Sequence, residues 1–266
     1  MSKPNLIKLY DQLVQVENEA NRLDRYDGNE EWFHGSSSGM CVRKNYYRAN
    51  GIEVSNPRNA TTDRLLRNGT ILHNDFQKII EFMDIEIMGD LGGSTINNAL
   101  YSTIIELTSE IDLMEIENEI RLEEYNVRGF YDILVKMVSG EVYLYDVKTM
   151  NSWSWKYKFG NVIDPQPALH HQMQLATYGL AVKREWGRLD GMSLLYYNKD
   201  TSVMKEIDVD LSMMAQASEY WRENLDANSK GHPPALETNL SPAYDWECKY
   251  CDFKDYCGND WYHDEE

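Results

Sequence analysis

No run of apolar residues in this sequence approaches the length that crosses a bilayer, and the opening stretch MSKPNLIKLYDQLVQVENEA lacks the apolar segment of a secretory leader. Those two absences make a soluble, cytoplasmic protein the expectation, with no membrane partner. Cysteine is scarce, at four in 266 residues, and inside a cell disulfides are not what those thiols are for. Internal repeats and low-complexity tracts are missing too, which removes solenoids and disordered arms. Basic side chains are in deficit, 26 against 44 acids for a formal charge of -18, and a uniformly acidic surface would repel a polyanion. What the chain does have is 42% apolar and 12% aromatic residues, enough to fill the core of one large domain.

The charge is not spread uniformly. From Trp32 to Ile71 six basic residues, Arg43, Lys44, Arg48, Arg58, Arg64 and Arg67, face only Glu53 and Asp63. From Asp146 to Arg188 six basic residues stand against three acids, whereas Glu81 to Glu124 holds twelve acids and one arginine. This segregation suggests two basic stretches converging on one site against an acidic body; solvated faces without a ligand are the plainer alternative.

Residues 5–23 read as an amphipathic helix, and a Gly/Ser-rich loop, GSSSGMC, leads into RKNYYRANGI. Thr70 reads as the N-cap of a helix running to about Met88, with Leu72, Phe76, Ile79, Ile80 and Met83 on its buried stripe. Strand-like sequence begins near Leu113, and NVRGFYDILVKMVSGEVYLYDVKTM reads as a hairpin. After Pro165 and Pro167 a helix over ALHHQMQLATYGLAVKREWG closes at Gly187, with Leu169, Met173, Leu180 and Ala181 toward the core. Strands near 191–198 and 202–209 and a helix from about Ser212 precede a cysteine-bearing tail. That order predicts an α/β fold with a mixed central sheet flanked by helices.

The hairpin has a definite expected register. A two-residue turn at Ser139-Gly140 would point Asp132 away from Asp146, whereas a three-residue loop Val138-Ser139-Gly140, with Gly140 left-handed, sets Asp132 opposite Asp146. The second register is favoured. Asp146 and Lys148, two apart, then project from one face with Asp132 across from them. Facing carboxylates repel unless a cation lies between them, and two Asp oxygens with water or a carbonyl are hard ligands suited to Mg2+ or Mn2+. A surface Asp–Lys network is the competing interpretation. His73 is expected in the first turn of its helix, where the dipole favours the neutral imidazole a metal needs. His171, Gln174 and Tyr178 share a helical face. The segment NSWSWKYKFG alternates Trp153, Trp155, Tyr157 and Phe159 with Lys156 and Lys158. Such a pattern suits a single-stranded nucleic-acid groove, with an ordinary strand burying one aromatic face as the alternative.

GFYD, then YDVKT, then HHQMQLATYGL resemble the G-x-x-D, D/E-x-K and Q-x-x-x-Y motifs of the PD-(D/E)XK nuclease superfamily, in its RecB-like branch. His73, in NGTILHNDF, matches that branch's metal-binding histidine. Cys41 followed by Cys248-x2-Cys251-x5-Cys257 resembles the iron-sulfur nucleases related to CRISPR-adaptation exonucleases and to the AddB nuclease domain, in which one cysteine before the core joins three after it around a [4Fe-4S] cluster. The resemblance covers roughly residues 35–260; its one departure is Asp146 where Glu is common. It implies a restriction-endonuclease-like core closed by an N-/C-terminal iron-sulfur module. The boundaries it suggests within one nuclease domain, 1–266, are a segment 25–69 carrying Cys41, a core 70–210, and a C-terminal helix and cysteine module 211–266. A structural zinc site is the rival for the thiols.

The resemblance also implies a mechanism. His73, Asp132, Asp146 and the Val147 carbonyl would hold one or two Mg2+ or Mn2+ ions, Lys148 would act on the attacking water, and Gln174 and Tyr178 would position the strand. The implied activity is a DNA exonuclease preferring single-stranded ends in recombination, repair or replication, in a bacterium, an archaeon or a phage-infected host. A helicase or recombination protein is the kind of partner such an enzyme has. A structure-specific endonuclease and a catalytically silent DNA-end-binding subunit are the alternatives.

Overall fold

The computed structural model describes residues 5–26, 32–81, 106, 108–160, 168–234 and 246–257. In chain order its elements are α1 (Leu6–Tyr26), β1 (Phe33–His34), α2 (Val42–Ala49), α3 (Ala60–Glu81), β2 (Ile111–Leu122), β3 (Val127–Met137), β4 (Val142–Met150), α4 (Ser152–Phe159), α5 (Leu169–Trp186), β5 (Gly191–Asn198), β6 (Met204–Val209) and α6 (Met213–Ser229). The sheet is mixed: β2 runs antiparallel to β3, β3 to β4 and β5 to β6, while β1 is parallel to β3 and β4 to β5. The parallel β4–β5 pair is joined through α4 and α5, as a parallel pair needs a crossover rather than a tight turn. The expected α/β class with a mixed central sheet is what the chain forms.

Helices cover both faces of the sheet. Leu175, Ala176, Tyr178 and Val182 of α5, with Tyr220 and Trp221 of α6, share one core with Leu134, Leu144 and Leu194. Ile80 of α3 packs on the other face with Ile133, Val135 and Val147. α1 lies on α3, tied by Arg64–Asp11 and Arg67–Glu17 ion pairs. Trp221 fixes the α5–α6 contact, because its indole N–H donates to Thr177 Oγ1 at 2.8 Å. The buried indole thus keeps a partner where it would otherwise lose about 1–3 kcal/mol.

The β3–β4 hairpin has the favoured register. Ile133 pairs with Tyr145 and Lys136 with Val142, the Met137 N–H donates to the Glu141 carbonyl at 2.8 Å, and Gly140 has φ +94°. Continued one step, that register sets Asp132 opposite Asp146. Here the ladder opens. β3 pairs with β4 only over residues 133–136 and with β1 only at Val127 and Arg128. Gly129, Phe130, Tyr131 and Asp132 therefore lie in a fork between two strands, the first three paired on the β2 side alone. The Val147 N–H, deprived of a strand partner, donates instead to Asp132 Oδ2 at 2.6 Å. The side chain replaces a backbone acceptor, and satisfying the buried amide fixes the carboxylate in the fork.

Several local expectations change. α3 begins ten residues before Thr70: Asn59 Oδ1 accepts from the Thr62 N–H at 2.9 Å, a capping bond, while the Thr70 hydroxyl donates back to the Leu66 carbonyl as a residue inside a helix does. His73 is consequently well inside α3 and not in its first turn. Ile79 is exposed and Gln77 buried in its place; Met83 and Met88 lie outside the described residues, as do Pro165 and Pro167. Leu169 is also exposed rather than on the core face of α5. The NSWSWKYKFG segment is a helix, not a strand, because Asn151 caps it by accepting from the Ser154 N–H at 2.8 Å. Its alternating aromatics become two i, i+4 pairs, Trp153 with Tyr157 at 4.3 Å and Trp155 with Phe159 at 4.6 Å between ring centroids.

Candidate functional site

A cavity of about 360 Å³ opens at the fork, lined among others by His73, Glu117, Asp132, Asp146, Lys148, Gln174 and Tyr178, with Val147 between. Every residue expected to serve catalysis or bind metal thus faces one space. α3 supplies His73, β3 and β4 the carboxylates and the lysine, and α5 the glutamine and tyrosine. α3 can approach because Gly69 stands over β4: a Cβ there would come within 3.2 Å of Thr149 Oγ1. Tyr178 lies across Gly35 and Gly129, where Cβ atoms would meet its ring at 2.6 and 2.8 Å. The glycine of GFYD is therefore the clearance for the tyrosine of Q-x-x-x-Y, and Gly35 of GSSSG does the same from β1's side.

Polar contacts run through the cavity as a chain. Lys148 Nζ is 2.6 Å from Asp146 Oδ2 and donates to Gln174 Oε1 at 2.9 Å. The Gln174 amide donates in turn to the Tyr178 hydroxyl at 3.0 Å and to Asp146 Oδ1 at 3.3 Å. On the far side His73 Nε2 is 2.8 Å from Asp132 Oδ2, and His73 Nδ1 is 3.8 Å from Glu117 Oε1. His171 turns away and bonds Tyr196 through Nδ1 at 3.1 Å. Burial holds its pKa well below the ordinary value and pushes the neighbouring His170 down to about 4, with Lys148 and Lys158 adding to both effects.

The electrostatics are those of an anionic pocket short of positive charge. Burial pushes the Asp146 pKa up to about 7; the Lys148 ammonium opposes the shift and Asp132 adds to it. Burial alone would lower His73, but its hydrogen bond to Asp132 and the charges of Asp132, Glu117 and Asp146 outweigh that and raise it. Asp146 is fully buried, and its Oδ2 receives no aligned hydrogen bond among the described residues although the ammonium is close. Burying an ionised carboxylate is costly without a cationic partner, and Lys148 Nζ, 2.6 Å from that oxygen, is the one the described residues supply. His73, Glu117 and Asp132 bring ligand atoms within 4.8 Å of one another, and imidazole with carboxylates is a donor set for Mg2+- or Mn2+-class ions. The residues fit a divalent cation.

Glu117 went unseen in the sequence because Glu115, Glu117 and Glu119 alternate like any solvated strand face. It has φ 54°, a left-handed backbone that costs a non-glycine residue about 1–3 kcal/mol. The register of β2 with β3 places it opposite Asp132. Both strands change phase there: Ile116 and Ile133 face α3, whereas Ile120 and Tyr131 belong to the core under α5.

The basic residues expected to form one groove with Lys156 and Lys158 are committed elsewhere. Arg64 and Arg67 pair with α1, Lys44 and Arg48 with Asp252, and Arg43 donates to the Pro234 carbonyl and the Tyr47 hydroxyl. None of them lines the cavity. Lys158 lies over the Tyr196 ring at 4.7 Å.

The cysteine segments do meet. Cys41 precedes α2 and its N–H donates to Glu247 Oε1 at 2.8 Å, while Ser55 and Asn56 donate their N–H groups to the Asp252 carbonyl. Cys251 and Cys257 pack with Tyr46, Tyr47 and Phe253. The Phe253 N–H donates to Cys251 Sγ at 3.4 Å, and none of the four cysteines is in a disulfide. Four soft donors on two adjacent segments fit an iron-sulfur cluster in donor chemistry. No helix among the described residues is long and apolar enough to cross a membrane.

Residues 93–258 match the family profile described as PD-(D/E)XK nuclease superfamily. No curated protein matches the sequence. Among solved structures, the crystal structure of SSO0001 is 17% identical at a TM-score of 0.49, covering 96% of this chain and 98% of its own. A candidate exonuclease from Eubacterium rectale is 13% identical at 0.46, covering 82% and 91%. The alkaline exonuclease LHK-Exo from Laribacter hongkongensis is 14% identical at 0.39, covering 78% and 93%.

Proposed function

We propose that this chain, which belongs to the PD-(D/E)XK nuclease superfamily, is a metal-dependent deoxyribonuclease acting from the ends of single-stranded DNA. The observation that carries this reading is the single cavity shared by His73, Asp132, Asp146, Lys148, Gln174 and Tyr178. His73, Asp132, Asp146 and the Val147 carbonyl would hold one or two Mg2+ or Mn2+ ions. A cation bound there acidifies water and offsets the charge of the scissile phosphate. Lys148, held between Asp146 and Gln174, orients the attacking water and stabilises negative charge that develops on the phosphoryl oxygens. Gln174 fixes the lysine and, through Tyr178, couples it to the two-glycine seat beside the fork. A silent DNA-end-binding subunit would have no chemical use for that arrangement.

The chain works as one nuclease domain, with a Cys41 segment (25–69) and a C-terminal module (211–266) enclosing a core (70–210). A [4Fe-4S] cluster on Cys41, Cys248, Cys251 and Cys257 joins the first and last of these. Recombination, repair or replication is the setting, with a helicase or recombination protein as partner.

Exposed aromatics support the single-stranded preference. Trp153 and Tyr157 present their rings to solvent, 67% and 40% exposed, beside Lys156, whereas Trp155 and Phe159 pack against the core. Trp153→Ala should weaken binding of a single-stranded oligonucleotide by about 1–3 kcal/mol with little dependence on salt. Trp155→Ala should instead lower the melting temperature; fluorescence anisotropy at two salt concentrations and thermal melts separate the two. Circular single strands test the end requirement. An exonuclease degrades the linear form and spares the circle, and rapid nicking of the circle would make the protein an endonuclease.

A further inference from the structure

We propose that Glu117 is a metal ligand on the His73 side of the cavity, so that Asp132 is shared between two cation positions, one toward Asp146 and one toward His73 and Glu117. The inference rests on the nuclease reading and extends it to a residue outside the sequence motifs. His73, Glu117 and Asp132 form a trio of ligand atoms within 4.8 Å of one another, and Asp146 is not part of it. Asp132, the shared ligand, is held in place by the protein: its Oδ2 accepts from the Val147 N–H and sits 2.8 Å from His73 Nε2. Glu117 reaches His73 Nδ1 at 3.8 Å from the opposite strand.

Two further observations point to a cation there. Asp146, with no exposed surface, lines the same cavity and holds Lys148 Nζ at 2.6 Å, so the lysine is engaged on that side while the Glu117 and Asp132 carboxylates face His73. Glu117 also stands where the β2–β3 ladder skips a pair, between Ile116–Ile133 and Asn118–Tyr131, its backbone turned to φ 54° and its carboxylate within 4.8 Å of the His73 and Asp132 ligand atoms. An imidazole beside two carboxylates accommodates Mn2+ better than Mg2+, since nitrogen donors suit the softer ion.

The test is Mn2+ titration of chelator-stripped protein, followed by calorimetry and by the resonance of free Mn2+, with thermal melts of the metal-free forms alongside. Wild type should take two Mn2+ ions and Glu117→Gln one. Asp132→Asn should lose both positions. Glu117→Gly, which relieves the left-handed backbone, should match Glu117→Gln in Mn2+ count while melting no lower than wild type without metal; it also serves if the glutamine variant does not fold. Two Mn2+ ions bound to either variant with wild-type affinity would overturn the proposal and leave the nuclease reading standing. Wild type that binds no Mn2+ would overturn both.

Discussion

Lys148→Ala is expected to lower DNA cleavage by about 10²–10⁴-fold, the range for losing a positioned proton-transfer or oxyanion-stabilising group. Its ammonium touches Asp146 and Gln174 and no other acid of the cavity, so removal leaves His73, Glu117 and Asp132 in place. Mn2+ binding and single-stranded DNA binding should therefore persist while kcat falls and KM holds, the pattern of an interaction made in the transition state. Gln174→Ala should show a smaller loss of the same kind, because it acts on Lys148 and Tyr178. A Lys148→Ala enzyme with near wild-type kcat would make the lysine a structural counter-ion for Asp146.

Cys41→Ser is expected to lose the iron and sulfide of the proposed cluster entirely and to lower the melting temperature by roughly 10 °C or more. Tying Cys41 to the tail closes a loop of about 200 residues, for which chain entropy gives about 5 kcal/mol, and a shift of 2–4 °C per kcal/mol applies to chains of this order. The fold should survive, because the Cys41–Glu247 bond and the Lys44 and Arg48 pairs with Asp252 hold the same two segments together without a cluster. Iron and sulfide analysis of anaerobically purified protein, with melts of both forms, checks this. A colourless wild type containing zinc would replace the cluster, and unchanged melting of Cys41→Ser would remove the long-range closure altogether.

The parts of the site that were legible in the sequence are those that local geometry determines. Gly140 accepts a left-handed turn, that turn sets the register, and the register puts Asp132 across from Asp146 and Lys148. Helical spacing puts Gln174 and Tyr178 on one face, but it puts His171 there too, which bonds Tyr196 instead, so it was the Q-x-x-x-Y resemblance that singled out the pair. His73 was identified by its motif and not by its position, since Asn59 outranks Thr70 as a cap and moves the helix start eleven residues upstream. The aromatic segment misled because residues alternating at period two are also four apart, and only the Asn151 cap decides for a helix. Glu117 was invisible because a phase change within a strand depends on packing from both faces, which a run of alternating glutamates does not encode. The fate of the basic residues was equally hidden: their partners Asp11, Glu17 and Asp252 come from distant segments.

Hydrolysis of an end-labelled single-stranded oligonucleotide by exhaustively metal-stripped protein, before and after adding back Mn2+ or Mg2+, tests the metal-dependent nuclease most directly. The expected result is no cleavage without metal, restoration on add-back, and loss again in Asp132→Asn and Asp146→Asn at equal protein concentration. Cleavage that continues in the stripped protein, or that both aspartate variants retain, would contradict it.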